Sequence, residues 1–280
     1  MIIARTRDDL NQTLQKFTQK PGKLALIPTM GNLHDGHLSL VRLAKLNAKK
    51  TITTIFVNPL QFGRNEDFEK YPRTEEMDIK KLSKEKCDIL FIPVNRNEVF
   101  PKFEEVKKIE SGKLGNELCG KIRPGHFDGV LTVVNKIFDI IKPDIAIFGA
   151  KDYQQQILIS EMSKILHPYL TILKAPIIRS KNGLALSSRN NYLSQNEMNL
   201  ASNLFKCLEN SVKLYKDNVF LNEIIENAQK FLISKKLNPD YLELRDNKLN
   251  NINDNNFNGK KVFLSSVTLN KTRLIDNIEF

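Results

Sequence analysis

The chain has 280 residues, 41% hydrophobic and 27% charged, a balance that suits a folded globular protein and excludes a disordered or fibrous one. No stretch approaches the roughly 20 apolar residues of a membrane span, and the early acids Asp8 and Asp9 argue against a signal peptide, so no role for a membrane is expected. Lys and Arg number 43 against 32 for Asp and Glu, a net charge of +11, but the lysines are dispersed without aromatic interleaving, so a solvated surface is expected and not a nucleic-acid footprint.

The first apolar run, Leu24-Ala25-Leu26-Ile27-Pro28, predicts a strand over 24–28. A short loop follows, with Gly31 and Gly36 supplying bends. Leu38, Leu40, Val41, Leu43, Ala44 and Leu46 then mark one face of a helix. His34-Asp35-Gly36-His37 therefore falls where a strand hands over to a helix N-terminus, where backbone N–H groups and the helix dipole favour anions. Two imidazoles there can clasp a triphosphate as its charge redistributes. The same tetrapeptide also suits two solvated helix-start histidines. Zinc is a third option, although His-Glu-x-x-His is absent and an i, i+3 pair is a thin ligand set.

A β-branched run predicts the next strand over 51–57. Phe56-Val57-Asn58-Pro59-Leu60-Gln61-Phe62 overlaps its end. Asn58 and Gln61 offer uncharged donors and acceptors, and Phe56, Val57, Leu60 and Phe62 an apolar wall, the mixture that a small, partly apolar polar substrate needs. An ordinary loop with buried aromatics would look the same. A further strand is predicted at 88–92. Arg123-Pro124-Gly125-His126-Phe127 then precedes a helix over 130–141, where Val130, Val133, Val134, Ile137, Phe138 and Ile141 recur at helical steps. Arg123 can hold an anion there, and His126 is expected to cap or pack.

The strand predicted at 144–148 opens into Phe148-Gly149-Ala150-Lys151-Asp152-Tyr153-Gln154-Gln155. Gly149 would let the backbone approach a phosphate. Lys151 supplies a point charge that can follow phosphate oxygens into a transition state. Asp152 can cap the helix or hold a magnesium-bound water. A surface lysine beside an N-cap aspartate fits equally. After the strand predicted at 170–178, Leu184-Ala185-Leu186-Ser187-Ser188-Arg189-Asn190 brings two hydroxyls and a guanidinium together, either an anion grip or a polar linker.

The alternation of strands and helices predicts an α/β fold over 1–184, a Rossmann-like parallel sheet with helices on both faces and ligands beyond the carboxyl ends of its strands. Helices near 195–215 and 219–236, strands at 240–245 and 261–268, an Asn-rich loop from Asn247 to Asn258 and a closing segment Thr272–Asn277 predict a smaller C-terminal α/β domain over 185–280. Cys87, Cys119 and Cys207 are scattered and are expected as thiols in a reducing cytoplasm.

Pro28-Thr29-Met30-Gly31 with His34-Asp35-Gly36-His37, the 56–62 segment, Tyr71-Pro72-Arg73, Arg123–Phe127, Lys151–Gln155, Leu186–Asn190 and Thr272-Arg273-Leu274-Ile275-Asp276-Asn277 together resemble the pantoate–β-alanine ligase (pantothenate synthetase) family, in order along nearly the whole chain. The histidine motif alone resembles only the wider nucleotidyltransferase superfamily. The family resemblance implies that ATP, pantoate and β-alanine give pantothenate, AMP and pyrophosphate with Mg2+, through a pantoyl adenylate. By the same resemblance His34, His37, Lys151, Ser187, Ser188 and Arg189 serve adenylation, with His37 the position usually assigned as proton donor. Asn58, Gln61 and Gln155 would hold pantoate with Phe56 and Phe62 against its methyl groups, and Tyr71 and Arg123 would join that pocket. Met30, Gly31, Gly36, Gly149, Asp152, Ile178 and Leu186 would line ATP. A homodimer in the cytoplasm and a C-terminal lid are also implied.

The chain departs from the family pattern at Ala150, where Glu is common, and at Asp128, where a basic residue is frequent; Ser265-Ser266-Val267-Thr268 is also more polar than expected. Two other functions compete. One is another nucleotidyltransferase with the same histidine motif, against which the Asn58/Gln61 pocket and Ser187–Arg189 argue. The other is an RNA-binding module descended from an aminoacyl-tRNA synthetase, for which no anticodon-binding extension is evident.

Overall fold

A computed structural model describes residues 1–18, 22–63, 66–252 and 257–280. These divide into two compact units, Met1–Ala150 with Gln155–Pro176, and Lys151–Gln154 with Ile177–Phe280. The turn that carries Lys151 thus groups with the C-terminal part of the chain.

In the first unit the order is β1 (Ile2–Ala4), α1 (Arg7–Thr18), β2 (Leu24–Thr29), α2 (Asp35–Asn47), β3 (Lys50–Ile55), α3 (Glu75–Lys84), β4 (Ile89–Phe91), α4 (Cys119–Ile122), α5 (His126–Ile141), β5 (Ile145–Gly149), α6 (Tyr153–Leu166) and β6 (Thr171–Ala175). Among the described residues the strands form one parallel sheet of six in the order β1-β4-β3-β2-β5-β6. From β2 the strands step outward through β3 and β4, with β1 beyond them at the edge, and from β5 they step outward to β6. The order reverses between those two neighbours, so their carboxyl ends mark the expected ligand crevice of a doubly wound sheet.

Both faces of this sheet are covered, as the alternation predicts. Leu38, Leu40, Val41 and Ala44 of α2 and Leu82 of α3 pack with Ala25, Ile27, Leu90, Ile145 and Ile147. Phe148, one residue on from Ile147, faces the other way and meets Phe138 of α5 edge-on at 6.4 Å. Each such large apolar side chain contributes about 1.5–3 kcal/mol on burial.

The predicted boundaries differ from the observed ones for identifiable reasons. β2 runs through Pro28 to Thr29; its pairs with β5 end at Leu26, so the missing N–H of Pro28 opens no gap there. β6 stops at Ala175 and not at 178, because Pro176 has no N–H to donate. α5 begins at His126, one turn before its apolar repeat, since Gly129 interrupts the pattern without interrupting the helix.

The second unit is built from α7 (Gln195–Ala201), α8 (Asn203–Lys216), α9 (Leu221–Ser234), β7 (Asn238–Asp246), β8 (Lys261–Leu269) and β9 (Thr272–Glu279). Among the described residues its sheet has three strands, antiparallel in the order β7-β8-β9. The single helix expected over 195–215 is two, broken at Ser202, the first opened by a Ser194–Glu197 capping box. Leu204, Cys207 and Leu208 of α8 and Ile224, Ala228 and Leu232 of α9 bury against Leu242, Leu244, Phe263, Val267 and Leu274. The unexpectedly polar Ser265 and Ser266 lie fully buried on the central strand. Their hydroxyls are satisfied, by Tyr241 O at 2.9 Å and Asp240 Oδ2 at 2.7 Å, beside the bulge between Pro239 and Tyr241. Within the Asn-rich connection, 253–256 lie outside the described residues.

Candidate active site

The β2–α2 junction is held by side chains of α3. Gly31 and Asn32 both take left-handed backbone, φ +81° and +49°. That conformation turns successive N–H groups to one side and makes a nest for a negative charge. The nest is filled by Asp78 of α3, a fully buried carboxylate. Its Oδ2 accepts from the Asn32 N–H at 2.9 Å and from the Thr74 hydroxyl at 3.1 Å, and its Oδ1 accepts from the Leu33 N–H at 2.8 Å. Lys81, one turn further along α3, donates to the Leu33 carbonyl at 2.5 Å. The loop is therefore held from both its N–H and its C=O side immediately before His34.

His34 is the N-cap of α2, and its Nδ1 accepts from the Gly36 N–H at 3.1 Å. The His34 N–H in turn donates to His37 Nδ1 at 3.4 Å, closing a capping box made of imidazoles. A ring nitrogen that accepts carries no proton, so these bonds assign the proton of each neutral ring to Nε2. Both rings are half-buried, with centroids 4.1 Å apart. Each can present one N–H donor beyond a helix N-terminus, which suits an anion. Among the described residues no group of three or more His, Cys, Asp or Glu that could hold a metal ion converges.

The segment after β3 forms a second fixed constellation. Asn58 is buried, and its carboxamide is engaged by the fold: Oδ1 accepts from the Leu60 N–H at 3.2 Å, while Nδ2 donates to Gly129 O and to Gln61 Oε1, each at 3.1 Å. Asn58 thus orients Gln61, whose Nε2 meets Met30 Sδ at 3.0 Å. Gly129 of α5 presses on the same turn, and a Cβ there would lie 2.1 Å from Leu60 O and 2.7 Å from Gln61 N.

Arg123 does hold an anion, an internal one. It forms a two-point pair with the Glu66 carboxylate and donates to His126 Nε2 at 2.8 Å. The His126 Nδ1–H donates to Gln61 O at 2.8 Å, giving this histidine the supporting role expected of it. Burial pushes the Glu66 carboxyl up, but the hydrogen bonds and charge of Arg123 outweigh it and hold it below its ordinary value. Phe62 packs edge-on against Tyr71 at 6.0 Å, and Phe56 lies 6.3 Å from Phe100. Gln155 is half-buried in the first turn of α6. Asp128, the departure from the family pattern, accepts from the Ser111 N–H and hydroxyl at 2.8 and 2.6 Å, a local tie at the start of α5.

At the end of β5, a Cβ on Gly149 would meet nothing within 4 Å, so packing within the chain makes no demand for glycine there. In the second unit, Lys151 Nζ lies 3.9 Å from Asp152 Oδ2, with the Asp152 side chain half-exposed. Ser187 caps the short 3-10 turn Ser188–Tyr192, its Oγ accepting from the Arg189 N–H at 3.3 Å. The Leu186 N–H donates to Ile178 O at 2.9 Å, so these two apolar candidates are held side by side.

Asp78, Lys81, Glu66 and Gly129 were not singled out from the sequence; the first two hold the loop that leads into His34, Glu66 pairs with Arg123, and Gly129 meets Asn58. The three cysteines are buried and form no disulfide, and no helix among the described residues is long and apolar enough to cross a membrane.

Known proteins match this chain almost from end to end. The family model described as pantoate-beta-alanine ligase matches residues 2–279. A pantothenate synthetase of Psychrobacter cryohalolentis is 44% identical over 272 residues, covering 96% of this chain and 94% of that protein. The crystal structure of pantothenate synthetase from Thermus thermophilus superposes with a TM-score of 0.91 at 33% identity, covering 99% of each chain. That of pantoate-beta-alanine ligase from Francisella tularensis, complexed with beta-gamma ATP and beta-alanine, gives 0.82 at 32% identity over 99% of this chain and 97% of that one. With its histidine-capped helix, its Asn58–Gln61 turn and this agreement from end to end, the chain belongs to the pantoate–β-alanine ligase family.

Proposed function

We propose that the candidate residues serve one reaction, the ATP-dependent condensation of pantoate with β-alanine to pantothenate, with release of AMP and pyrophosphate. In the first step a pantoate carboxylate oxygen bonds to the α-phosphorus of ATP and the bond from that phosphorus to the bridging oxygen breaks, giving pantoyl adenylate and pyrophosphate. In the second, the β-alanine amine bonds to the acyl carbon, loses a proton, and AMP departs. The observation that carries this assignment is the imidazole capping box, which supports two Nε2–H donors at a helix N-terminus beside the point where the strand order reverses.

The first step crowds negative charge around phosphorus and onto the leaving pyrophosphate. His34 and His37 would donate to phosphate oxygens, with Lys151, Ser187, Ser188 and Arg189 adding a point charge, hydroxyls and a planar guanidinium. Gln61, oriented by Asn58 and by the His126–Arg123–Glu66 cluster, would bind pantoate with Gln155, and Phe56, Phe62 and Tyr71 would supply the apolar wall. Met30, Gly31, Gly36, Gly149, Ile178 and Leu186 would bound the nucleotide. Mg2+ would neutralise ATP phosphates; it usually takes one or two carboxylates besides phosphates and water, and the exposed Asp152 carboxylate fits that pattern. A homodimer acting in the cytoplasm is carried by the family resemblance.

The deciding experiment measures AMP with each substrate omitted in turn. AMP is expected only when ATP, pantoate and β-alanine are all present. AMP formed without pantoate would point to a different transferase.

The Gln61 assignment has its own test. A Cβ 2.1 Å from Leu60 O is about 1 Å inside the roughly 3.3 Å at which carbon and a carbonyl oxygen meet. Gly129→Ala is therefore expected to cost about 1–3 kcal/mol of stability. Displacing Gln61 should also raise the pantoate KM about tenfold or more. Denaturant unfolding and steady-state kinetics read both effects; an unchanged pantoate KM would remove Gln61 from the pantoate site.

A further inference from the structure

The C-terminal motif Thr272–Asn277 belongs to the resemblance, yet none of its residues has a part in the chemistry above. It lies on β9, which among the described residues pairs with β8 alone. Polar side chains on such an edge strand ordinarily reach water. Asp276 and Asn277 do not: they are 3% and 4% exposed.

Each of the two holds a different segment. The Asp276 carboxylate takes a two-point bond from Arg179, Nη1 to Oδ2 at 2.5 Å and Nη2 to Oδ1 at 2.9 Å, and accepts the Asn277 N–H at 2.8 Å. The Arg179 guanidinium also donates to Gly183 O at 3.2 Å and lies 3.8 Å over the Phe205 ring, so its plane is fixed. The backbone of Arg179 bridges Ala185 in antiparallel fashion, and this narrow turn runs directly into Leu186–Arg189. Asn277 reaches elsewhere: its Nδ2–H donates to the Lys151 carbonyl at 3.1 Å. Two residues on, buried Tyr153 donates its hydroxyl to Asn247 O at 3.1 Å and to Glu279 Oε2 at 3.3 Å. Burial, and then the charge of Glu279, push that phenol up, so it stays a donor.

We propose that Asp276 and Asn277 are positioning residues for adenylation, one dipeptide that sets the Lys151 backbone and the Ser187–Arg189 turn in a common frame on the C-terminal sheet. The inference rests on the roles given above to Lys151, Ser187 and Arg189. It explains why two buried polar residues occupy an edge strand: each satisfies a polar group of a segment that carries phosphate-binding side chains.

The test uses the full chain with Asn277→Ala and Asn277→Asp, and Lys151→Ala measured beside them. Aspartate keeps the shape of Asn277 but has no N–H for the Lys151 carbonyl. Both Asn277 variants are expected to lower kcat for pantoate-dependent pyrophosphate release about tenfold or more while the KM values for ATP and pantoate stay within about twofold, because the lysine is misplaced and the pockets are intact. Their melting midpoints should leave the protein folded at the assay temperature. A wild-type kcat in Asn277→Asp, or a loss fully accounted for by the unfolded fraction, would overturn the positioning role. A wild-type rate in Lys151→Ala would overturn the site assignment beneath it.

Discussion

Lys151→Ala is expected to lose adenylation by about 10²–10³-fold in kcat, the scale seen when one charge-stabilising group is removed from a transition state. Its fold should survive, because of how residue 151 is used. The structural duty at this position belongs to the backbone carbonyl, which accepts from Asn277 Nδ2 at 3.1 Å and which alanine retains. The ammonium lies 3.9 Å from the Asp152 carboxylate, a partly exposed pair worth about 0–1 kcal/mol, and its charge also acts on the buried Asp276 carboxylate. A lysine whose structural tie runs through its backbone carbonyl can give its ammonium to a ligand's charge. Lys151→Arg should recover little, since a planar fork cannot stand in for a compact point charge that follows moving phosphate oxygens. The measurement is pantoate-dependent pyrophosphate release beside a thermal melt. Unchanged release, or a melt lowered enough to explain the loss, would remove Lys151 from the chemistry.

Much of this site was legible in the sequence because its signals are local. Leu24–Pro28 and the leucines from Leu38 mark a strand and a helix within a few residues of His34 and His37. The imidazole cap also closes within four residues, so the motif and its geometry coincide. The same locality made the Gly149–Asp152 and Ser187–Arg189 segments stand out. Long-range duties were not legible. Asn58 reads as a substrate amide, but its partners include Gly129 O, a residue 71 positions away. Arg123 reads as an anion site, and its anion proves to be Glu66. Gly129 reads as a flaw in an apolar helix and is where that helix closes on the Gln61 turn. In each case the side chain's meaning depends on a partner that only the folded chain supplies. Boundaries moved for a simpler reason: Pro176 ends β6 before its apolar run ends, and Pro28 is tolerated inside β2 because of which neighbours pair there.

Asp78 carries that contrast furthest, since nothing in Glu75–Lys84 sets its carboxylate apart from the acids around it. Within the fold it is the anion of the nest formed by Gly31 and Asn32. Asp78→Ala would leave the Asn32 and Leu33 N–H groups and the Thr74 hydroxyl without this acceptor, with buried donors costing about 1–3 kcal/mol each. Asp78→Asn keeps the volume but turns one acceptor into an N–H that faces another donor, so it should also destabilise, by less. Either change releases the loop that ends at His34, and a displacement of about 1 Å at reacting groups can cost about 10²-fold in rate. The expected outcome is therefore a joint loss: lower stability in denaturant unfolding, and reduced pyrophosphate release at a temperature where the variant is still folded. Lys81→Met is the useful contrast. It removes the donor to the Leu33 carbonyl while leaving the Asp78 nest intact, so its effect on rate should be several-fold smaller. Should Asp78→Asn keep both its stability and its rate, the nest would be incidental, and the histidines would be held by the capping box and helix packing alone.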